Sequence, residues 1–220
     1  MSTCDIEVTR PITPVADGLK RAFDFMLALT IVILIAPLLL LLALCVRLSS
    51  PGPILFRHQR VGRYGRLFRI CKFRSMRVTS GGPDLTSADD RRITPLGRFL
   101  RRWKLDELPQ LFNVLRGDMS LVGPRPEAPR FVALYTAEQR QVLSVWPGIT
   151  GRAQLQFRNE EALLAGHEDV ERFYIENVMP LKLDIDLGYL RERTLARDMI
   201  VLLQTVMVVF HRGAMAAGTS

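Results

Sequence analysis

The longest apolar segment of the chain covers residues 25–46, 22 positions without a charged side chain. As a straight helix it would be roughly 33 Å long, compared with about 30 Å for the hydrocarbon core of a bilayer. A cleaved signal peptide is disfavoured, because the run is too long, four acidic residues precede it and no small-residue cleavage site follows it. The pattern therefore predicts a membrane-inserted helix within residues 20–50.

Pro37 lies near the middle of this segment, where it lacks the backbone N–H that would bond the carbonyl of Ile33. Lipid offers that carbonyl no hydrogen bond, so two geometries are compatible with the pattern. The helix is either a kinked span stabilised by its neighbours, or a re-entrant helix that bends at Ala36-Pro37 and returns to the face it entered from.

The rest of the pattern predicts an α+β fold that is mainly helical and contains one small β-hairpin. The two strands of the hairpin are separated by Gly62 and Gly65, and a polar loop covers residues 80–90. Thr136 and Gln139 form a capping box before a further helix. The predicted strands are 54–59 and 67–73, and the predicted helices are 96–103, 108–115 with Gly117 as its cap, 136–145, 160–178 and 195–210.

Positive charge is concentrated directly after the apolar run. The chain carries 30 Lys and Arg against 22 Asp and Glu, a net charge of +8, which favours phosphates, nucleic acid or an anionic membrane as partners. Residues 57–104 hold fourteen basic and three acidic side chains. By the positive-inside tendency, everything after Arg47 is cytoplasmic.

Composition excludes a disordered chain and a disulfide scaffold. The 48% of apolar residues are enough for a real core. The cysteines Cys4, Cys45 and Cys71 are odd in number and scattered, so neither a disulfide framework nor a cysteine metal site is supported. A reducing compartment fits best.

Two adjacent carboxylates, Asp106 and Glu107, stand at the start of the predicted short helix, immediately after the basic stretch. Acids in a first helical turn commonly compensate the helix dipole, by about 0.3 to 1 kcal/mol, and this interpretation needs no chemistry. The alternative is that the helix end, with Arg101, Arg102 and Lys104, holds a carboxylate ionised beside a phosphate site. Such a carboxylate can attack phosphorus.

Two arginines stand out beside this pair. Arg125 is held between Pro124 and Pro126, which restrict the backbone on both sides. The segment is compatible with a simple turn, but a guanidinium fixed at low entropic cost suits bidentate phosphate recognition. Arg74 places another cation at the end of the hairpin, where a solvated basic edge strand is the alternative interpretation.

The motifs KFRSM, KLDELPQLFNVLRGDMSLVGPRP and PGITGRAQ follow the apolar run and the hairpin in this order. Together these features resemble the bacterial monotopic phosphoglycosyl transferases, over roughly residues 20–210. The resemblance implies a re-entrant membrane helix at the cytoplasmic face of the bacterial inner membrane. It also implies transfer of a sugar 1-phosphate from a UDP-sugar to undecaprenyl phosphate with release of UMP, the step that starts exopolysaccharide, O-antigen or glycan synthesis.

The resemblance assigns roles to individual residues. Asp106 matches the nucleophile of the family, which forms a covalent phosphosugar intermediate, and Glu107 matches its partner. Splitting the transfer in this way replaces one difficult encounter by two simpler steps. Mg²⁺ is the implied cofactor, because it screens the donor diphosphate. The candidate phosphate-binding residues are Lys72, Arg102, Arg125 and Arg158, and the candidate metal ligands are Asp106 and Asp198, with Asp184 or Asp186 as alternatives to Asp198.

The chain departs from the pattern of the family in two places. Ala36 precedes Pro37, where many relatives have a serine whose hydroxyl can satisfy the freed carbonyl. Arg152 and Phe157 replace a tryptophan and a glycine that are common near Arg158. The first departure bears on the topology of the helix and the second on the choice of donor.

The domain organisation predicted from these features is an N-terminal tail at 1–19, the membrane-inserted helix at 20–50 and a cytoplasmic-face catalytic domain at 51–220 that includes an apolar C-terminal helix. The expected partners are a UDP-sugar, undecaprenyl phosphate and membrane lipids. The transferred sugar and a possible homo-oligomer are left open.

A function of another class is a membrane-tethered nucleic-acid or lipid-binding module. The support for this function is the excess of eleven positive charges in residues 57–104, which hold fourteen basic and three acidic side chains. However, a carboxylate pair within the basic region would repel a phosphate backbone, and few aromatic residues are interleaved for base stacking. Nucleic acid is therefore not an expected partner.

Overall fold

A computed structural model describes residues 17–77, 90 and 92–217, the side chains of 161 and 210–217 excepted. Cys4 and most of the predicted polar loop lie outside these residues. The fold is mainly helical with two small two-stranded sheets. Its helices are α1 (Asp17–Ser49), α2 (Pro95–Arg102), α3 (Gln110–Arg116), α4 (Pro129–Val132), α5 (Arg152–Gln156), α6 (Glu160–Leu164), α7 (Val170–Phe173), α8 (Met179–Arg191) and α9 (Leu195–Ala217), and its strands are β1 (Leu55–Val61), β2 (Leu67–Phe73), β3 (Ser120–Val122) and β4 (Gly148–Thr150).

Helix α1 contains the predicted apolar run and continues through Pro37. Within the described part of the chain it is the one helix long and apolar enough to cross a membrane. Its middle presents large apolar side chains such as Ile33 and Leu34 to the outside. Both ends of the run pack on the rest of the protein, Ala28 against a cluster that includes Val114 and, further along, Val46 against a cluster that includes Leu100.

The predicted hairpin is confirmed, with β1 and β2 antiparallel and Val61 opposite Leu67. Arg74 follows β2 but is not part of a solvated edge strand. It is buried, and its guanidinium donates hydrogen bonds to the carbonyl oxygens of Val46 (3.1 Å) and Ser50 (2.5 Å). The carbonyl of Val46 belongs to the last turn of α1 and that of Ser50 directly follows the helix, so neither has a further helical turn to satisfy it. Arg74 therefore caps the apolar helix.

The predicted short helix is confirmed as α3, and Gly117 ends it in the left-handed conformation with φ 95°. The sequence predicted that the carboxylate pair lies in the first turn of this helix. The structure instead places the pair before the helix. Asp106 and Glu107 lie in a separate 3-10 turn, Leu105–Glu107, and Pro109 separates that turn from α3. The pair therefore directly precedes α3 rather than forming its first turn.

Strands β3 and β4 form a parallel pair that the hydrophobic pattern did not predict. Three residues each are too short for a recognisable alternation. The pair approaches closely because Gly148 has no side chain, since a Cβ there would lie 2.1 Å from the backbone nitrogen of Gly123. This contact holds the segment after β3, which contains Arg125, against the segment that contains β4.

Two helical predictions need correction. The capping box of Thr136 and Gln139 is present, but the helix that follows is the 3-10 helix Gln139–Ser144. The predicted helix 160–178 is broken at Gly166, whose φ of 85° is left-handed, and the chain reaches α8 through a π-helical turn at Tyr174–Val178. Helix α8 was not predicted. The last predicted helix is confirmed as α9.

A buried ionic cluster joins α1 to α9 and β3. The Lys20 ammonium lies 2.7 Å from Asp24 and 2.8 Å from Asp198, and all three side chains are almost fully buried. Asp198 also accepts a hydrogen bond from the Tyr189 hydroxyl (2.5 Å), and Asp24 accepts one from Ser120 (2.7 Å). Lys20 thus compensates two carboxylates that water cannot reach.

Replacing Lys20 by Met is expected to lower the stability of the protein by about 3 to 5 kcal/mol, because two buried carboxylates lose their counter-ion. Arg191→Met is the matched control, since its ion pair with Glu138 is exposed and worth at most about 1 kcal/mol. Thermal or chemical unfolding in detergent measures both variants. Equal losses for the two would contradict the role of the buried cluster.

Candidate active site

Two cations meet on one oxygen atom of Glu107. The Lys72 ammonium lies 2.7 Å from Oε1, and Nη2 of Arg125 lies 3.1 Å from the same atom. Lys72 belongs to β2, Arg125 to the proline-bounded segment after β3, and Glu107 to the 3-10 turn between α2 and α3. The structure therefore brings together three candidate residues from three separate motifs of the sequence.

The two adjacent carboxylates differ in their electrostatics. Burial disfavours ionisation of Glu107, but Lys72, Arg125 and Lys104 outweigh this effect and hold the pKa of Glu107 well below its usual range. Burial raises the pKa of Asp106, against the opposing attraction of Lys72. Cations thus hold Glu107 ionised, whereas the pKa of Asp106 shifts in the opposite direction from the one the basic stretch had suggested.

Asp106 carries an oxygen atom with no protein partner. Its side chain is buried, and Oδ1 has no hydrogen bond within the described part of the chain. A carboxylate oxygen in this condition is costly for stability, so its retention indicates chemistry or a ligand. The residue before the turn, Lys104, has a left-handed φ of 55°, which side chains with a Cβ rarely adopt.

The attachment of α3 to β2 depends on Asn113, which the sequence analysis missed. Its amide donates to the carbonyl of Arg69 (2.9 Å) and accepts from the backbone nitrogen of Cys71 (2.9 Å). Asn113 is fully buried and joins the strand directly before Lys72. The only available signal was a polar residue between the apolar positions of a short helix.

Two of the predicted phosphate-binding residues lie on the surface. Arg102 is exposed at the end of α2, and Arg158 is exposed in the turn between α5 and α6. The assignment of Arg102 and Arg158 to a phosphate group stays a prediction. The structure does place Lys72 and Arg125 beside Glu107.

The three aspartates proposed as alternatives lie in different surroundings. Asp198 is held by Lys20 and Tyr189, Asp184 is exposed on α8, and Asp186 is buried with a pKa raised to about 7 by burial. No hydrogen bond or ion pair among the described residues links Asp198 to Asp106. Its role as a metal ligand stays a prediction.

A Mg²⁺ ion fits the carboxylate pair in its donor chemistry. Mg²⁺ typically takes one or two protein carboxylates and fills its other positions with water and substrate phosphates. The unpartnered oxygen of Asp106 and the carboxylate of Glu107 meet this requirement. Within the described residues there is no larger group of three or more acidic, His or Cys side chains suited to a metal, so phosphate oxygens would have to complete the shell.

The chain matches the family model described as bacterial sugar transferase over residues 15–212. It is 43% identical over 202 residues to the UDP-glucose:undecaprenyl-phosphate glucose-1-phosphate transferase of Caulobacter vibrioides, covering 89% of this chain and 72% of that protein. The Escherichia coli enzyme of the same name is 41% identical, with 91% and 42% covered. The UDP-N-acetylgalactosamine-undecaprenyl-phosphate N-acetylgalactosaminephosphotransferase of Aeromonas hydrophila is 36% identical, with 90% and 45% covered. The chain thus spans less than half of the last two relatives.

The asymmetry of the carboxylates predicts opposite effects on stability. Glu107→Gln should cost roughly 1.5 to 3 kcal/mol, because two cations lose a charged acceptor. Asp106→Asn should cost nothing or stabilise at neutral pH, because it removes a charge that burial disfavours.

Since the pKa of Asp106 is raised in the folded state, this advantage of Asp106→Asn should shrink as the pH falls towards the ordinary value of about 4. As the pH falls, the Asp106 side chain of the parent becomes increasingly protonated, so the electrostatic difference from the Asp106→Asn variant diminishes. Unfolding midpoints of the two variants and the parent, measured in detergent at neutral and acidic pH, check both effects. Equal destabilisation by the two substitutions at neutral pH would contradict the asymmetry.

Proposed function

Because the chain belongs to the bacterial sugar transferase family, which confirms its resemblance to the phosphoglycosyl transferases, we propose that it transfers a sugar 1-phosphate from a UDP-sugar to undecaprenyl phosphate and releases UMP. The observation that carries the proposal is the cation pair on Glu107 Oε1 beside the unpartnered carboxylate oxygen of Asp106. It combines phosphate-binding groups with a nucleophile.

In the first step, an oxygen of Asp106 attacks the phosphorus that carries the sugar. A bond forms between this oxygen and phosphorus, the bond to the bridging oxygen breaks, and UMP leaves with the electron pair. In the second step, an oxygen of undecaprenyl phosphate attacks the same phosphorus, and the Asp106 carboxylate is released. No net proton transfer is required, and the covalent intermediate lets the two substrates react in turn.

The site favours this chemistry electrostatically. A carboxylate whose pKa is raised by burial is a more basic nucleophile than one held by cations, provided that it is ionised. Lys72 and Arg125 each keep further N–H groups after binding Glu107, since an ammonium has three donors and a guanidinium five. These donors can bind the oxygens of the transferred phosphoryl group, where negative charge accumulates during transfer.

Mg²⁺ belongs to the proposal as the cofactor that Asp106 and Glu107 would hold together with the donor diphosphate. When bound, it would neutralise charge on the diphosphate and on the departing UMP. Asp198 is not needed for this arrangement, because its carboxylate is paired with Lys20.

The membrane placement that we propose is a re-entrant α1 at the cytoplasmic face. Both ends of α1 contact the domain, Lys20 through Asp198 and Val46 through the carbonyl that binds Arg74. A straight span of this length would separate its ends by more than the hydrocarbon thickness. The apolar side chains exposed on α9, such as Leu203 and Met207, can add to the membrane contact. Undecaprenyl phosphate would then meet the site at headgroup level.

A nucleic-acid or lipid-binding module is less well supported than a transferase. The two cations nearest the carboxylate pair are engaged with Glu107 rather than displayed along an open surface. A binding module also gives no reason for a buried carboxylate oxygen without a partner.

The covalent mechanism predicts a sugar-phosphate adduct on Asp106. Purified protein, Mg²⁺ and a panel of UDP-glucose, UDP-galactose and UDP-N-acetylgalactosamine are mixed without a lipid acceptor. Intact-mass measurement should detect the adduct together with stoichiometric UMP, and Asp106→Asn should abolish both. Asp184→Asn, at an exposed position of α8, is the matched control and should react like the parent.

The mechanism would be wrong if Asp106→Asn released UMP as fast as the parent, or if no donor of a broad panel gave an adduct or UMP. The sugar that reacts fastest identifies the donor.

The re-entrant topology predicts that both ends of α1 face the cytoplasm. A single cysteine introduced at position 10, in a chain freed of Cys4, Cys45 and Cys71, should be shielded from an impermeant maleimide added to spheroplasts and labelled in inside-out vesicles. A cysteine at position 184 provides the reference for the cytoplasmic side. Labelling of position 10 in intact spheroplasts would instead indicate a membrane-spanning helix.

A further inference from the structure

A second buried cluster of charges lies behind Arg125, and the proposed mechanism does not use it. The ammonium of Lys182, on α8, is almost fully buried. It lies 2.9 Å from the Glu160 carboxylate, 3.3 Å from the Glu127 carboxylate and 3.1 Å from the hydroxyl of Tyr174. Lys182 is therefore the shared counter-ion of two carboxylates from distant segments of the chain.

This cluster adjoins the site through the proline-bounded segment. Glu127 follows Arg125 by two residues, and both line the same small cavity. The charge of Arg125 is stabilised first by Glu107 and then by Glu160 and Glu127, which together raise the pKa of its guanidinium. Arg125 thus lies between two groups of acids, one at the site and one behind it.

We propose that Lys182 is a positioning residue, which neutralises Glu127 and Glu160 and thereby keeps Arg125 on Glu107 in the active site. The consequence for catalysis rests on the proposed function, in which Arg125 binds the phosphates of the donor. The consequence for the geometry of Arg125 does not depend on the proposed function.

Charge balance explains why Lys182 matters. Glu127 has a second basic neighbour, Arg60, but their closest atoms are 3.9 Å apart and Arg60 does not reach the hydrogen-bond distance of Lys182. Without Lys182, the two carboxylates would be left partly buried and undercompensated, which is strongly unfavourable. Asp186, buried nearby on α8, would add to the excess of negative charge when ionised. Arg125 interacts electrostatically with both carboxylates, so the uncompensated charge would draw it away from Glu107, as it would draw Arg60 closer to Glu127.

Lys182→Met is expected to raise the KM for the UDP-sugar roughly 10- to 100-fold, the size of one lost charge-assisted hydrogen bond, with a smaller effect on kcat. The double variant Lys182→Met/Glu160→Gln removes one charge of each sign and should restore KM to within a few-fold of the parent. Glu160→Gln alone should leave KM nearly unchanged. A purely structural role of Lys182 would lower the unfolding midpoint and the amount of active protein without a selective rise in KM for the UDP-sugar.

High-resolution structures of the three variants provide a readout that is independent of activity. In Lys182→Met, Arg125 should leave Glu107 and approach Glu127 or Glu160. In the double variant it should return to about the parental 3.1 Å from Glu107 Oε1.

Unchanged Arg125 in Lys182→Met, or a KM that the double variant does not restore, would overturn the inference. If the parent itself releases no UMP, the proposed function fails, and the position of Arg125 in the three structures still decides the role of Lys182.

Discussion

The arrangement of the site depends on one carboxylate oxygen, Oε1 of Glu107, that binds two cations. The hairpin contributes Lys72 and the proline-bounded segment contributes Arg125, at separations of 35 and 18 residues along the chain. Three charges in a partly buried site are tolerated only when they compensate one another. Without the carboxylate, Lys72 and Arg125 would repel each other, so Glu107 is what allows these two cations to share one small volume.

The same arrangement separates the properties of the two neighbouring acids. The cations favour the ionised form of Glu107 beyond the cost of its burial, whereas for Asp106 the cost of burial prevails. Adjacent carboxylates in one 3-10 turn thus acquire different chemistry from different neighbours. One acid binds two cations, and the other has an oxygen without a protein partner. The buried charge of Asp106 lowers the stability of the folded protein. This cost is compatible with a role in function rather than in folding.

Outside the site, two buried lysines each neutralise two carboxylates. Lys20 joins α1 to α9 through Asp24 and Asp198, so it fixes the apolar helix relative to the domain. Lys182 compensates Glu127 and Glu160 behind the proline-bounded segment. In each case one ammonium satisfies two acids, which ties distant segments together more specifically than apolar packing alone. Helix α1 and the proline-bounded segment thus each adjoin a separate ionic cluster.

The sequence by itself determined the features that local patterns encode. Helix α1 follows from an uninterrupted apolar run, the hairpin from two short runs around glycines, and α3 from apolar spacing that ends at Gly117. The motifs around Asp106, Glu107 and Arg125 indicated the chemistry, because the residue types in a short segment are visible without a fold. The approximate bounds of these elements were therefore predictable.

Only the tertiary structure decided which charges meet. Arg74 caps α1, Asp198 pairs with Lys20 rather than joining the carboxylate pair, and Asp106 is left with an unpartnered oxygen. The sequence pattern also did not predict the parallel pair β3–β4 or the ion pairs of Lys182 with Glu127 and Glu160. Burial and ion pairing depend on partners that lie far away along the chain, so the same aspartate or arginine can be a ligand, a cap or a counter-ion until the fold places its neighbours.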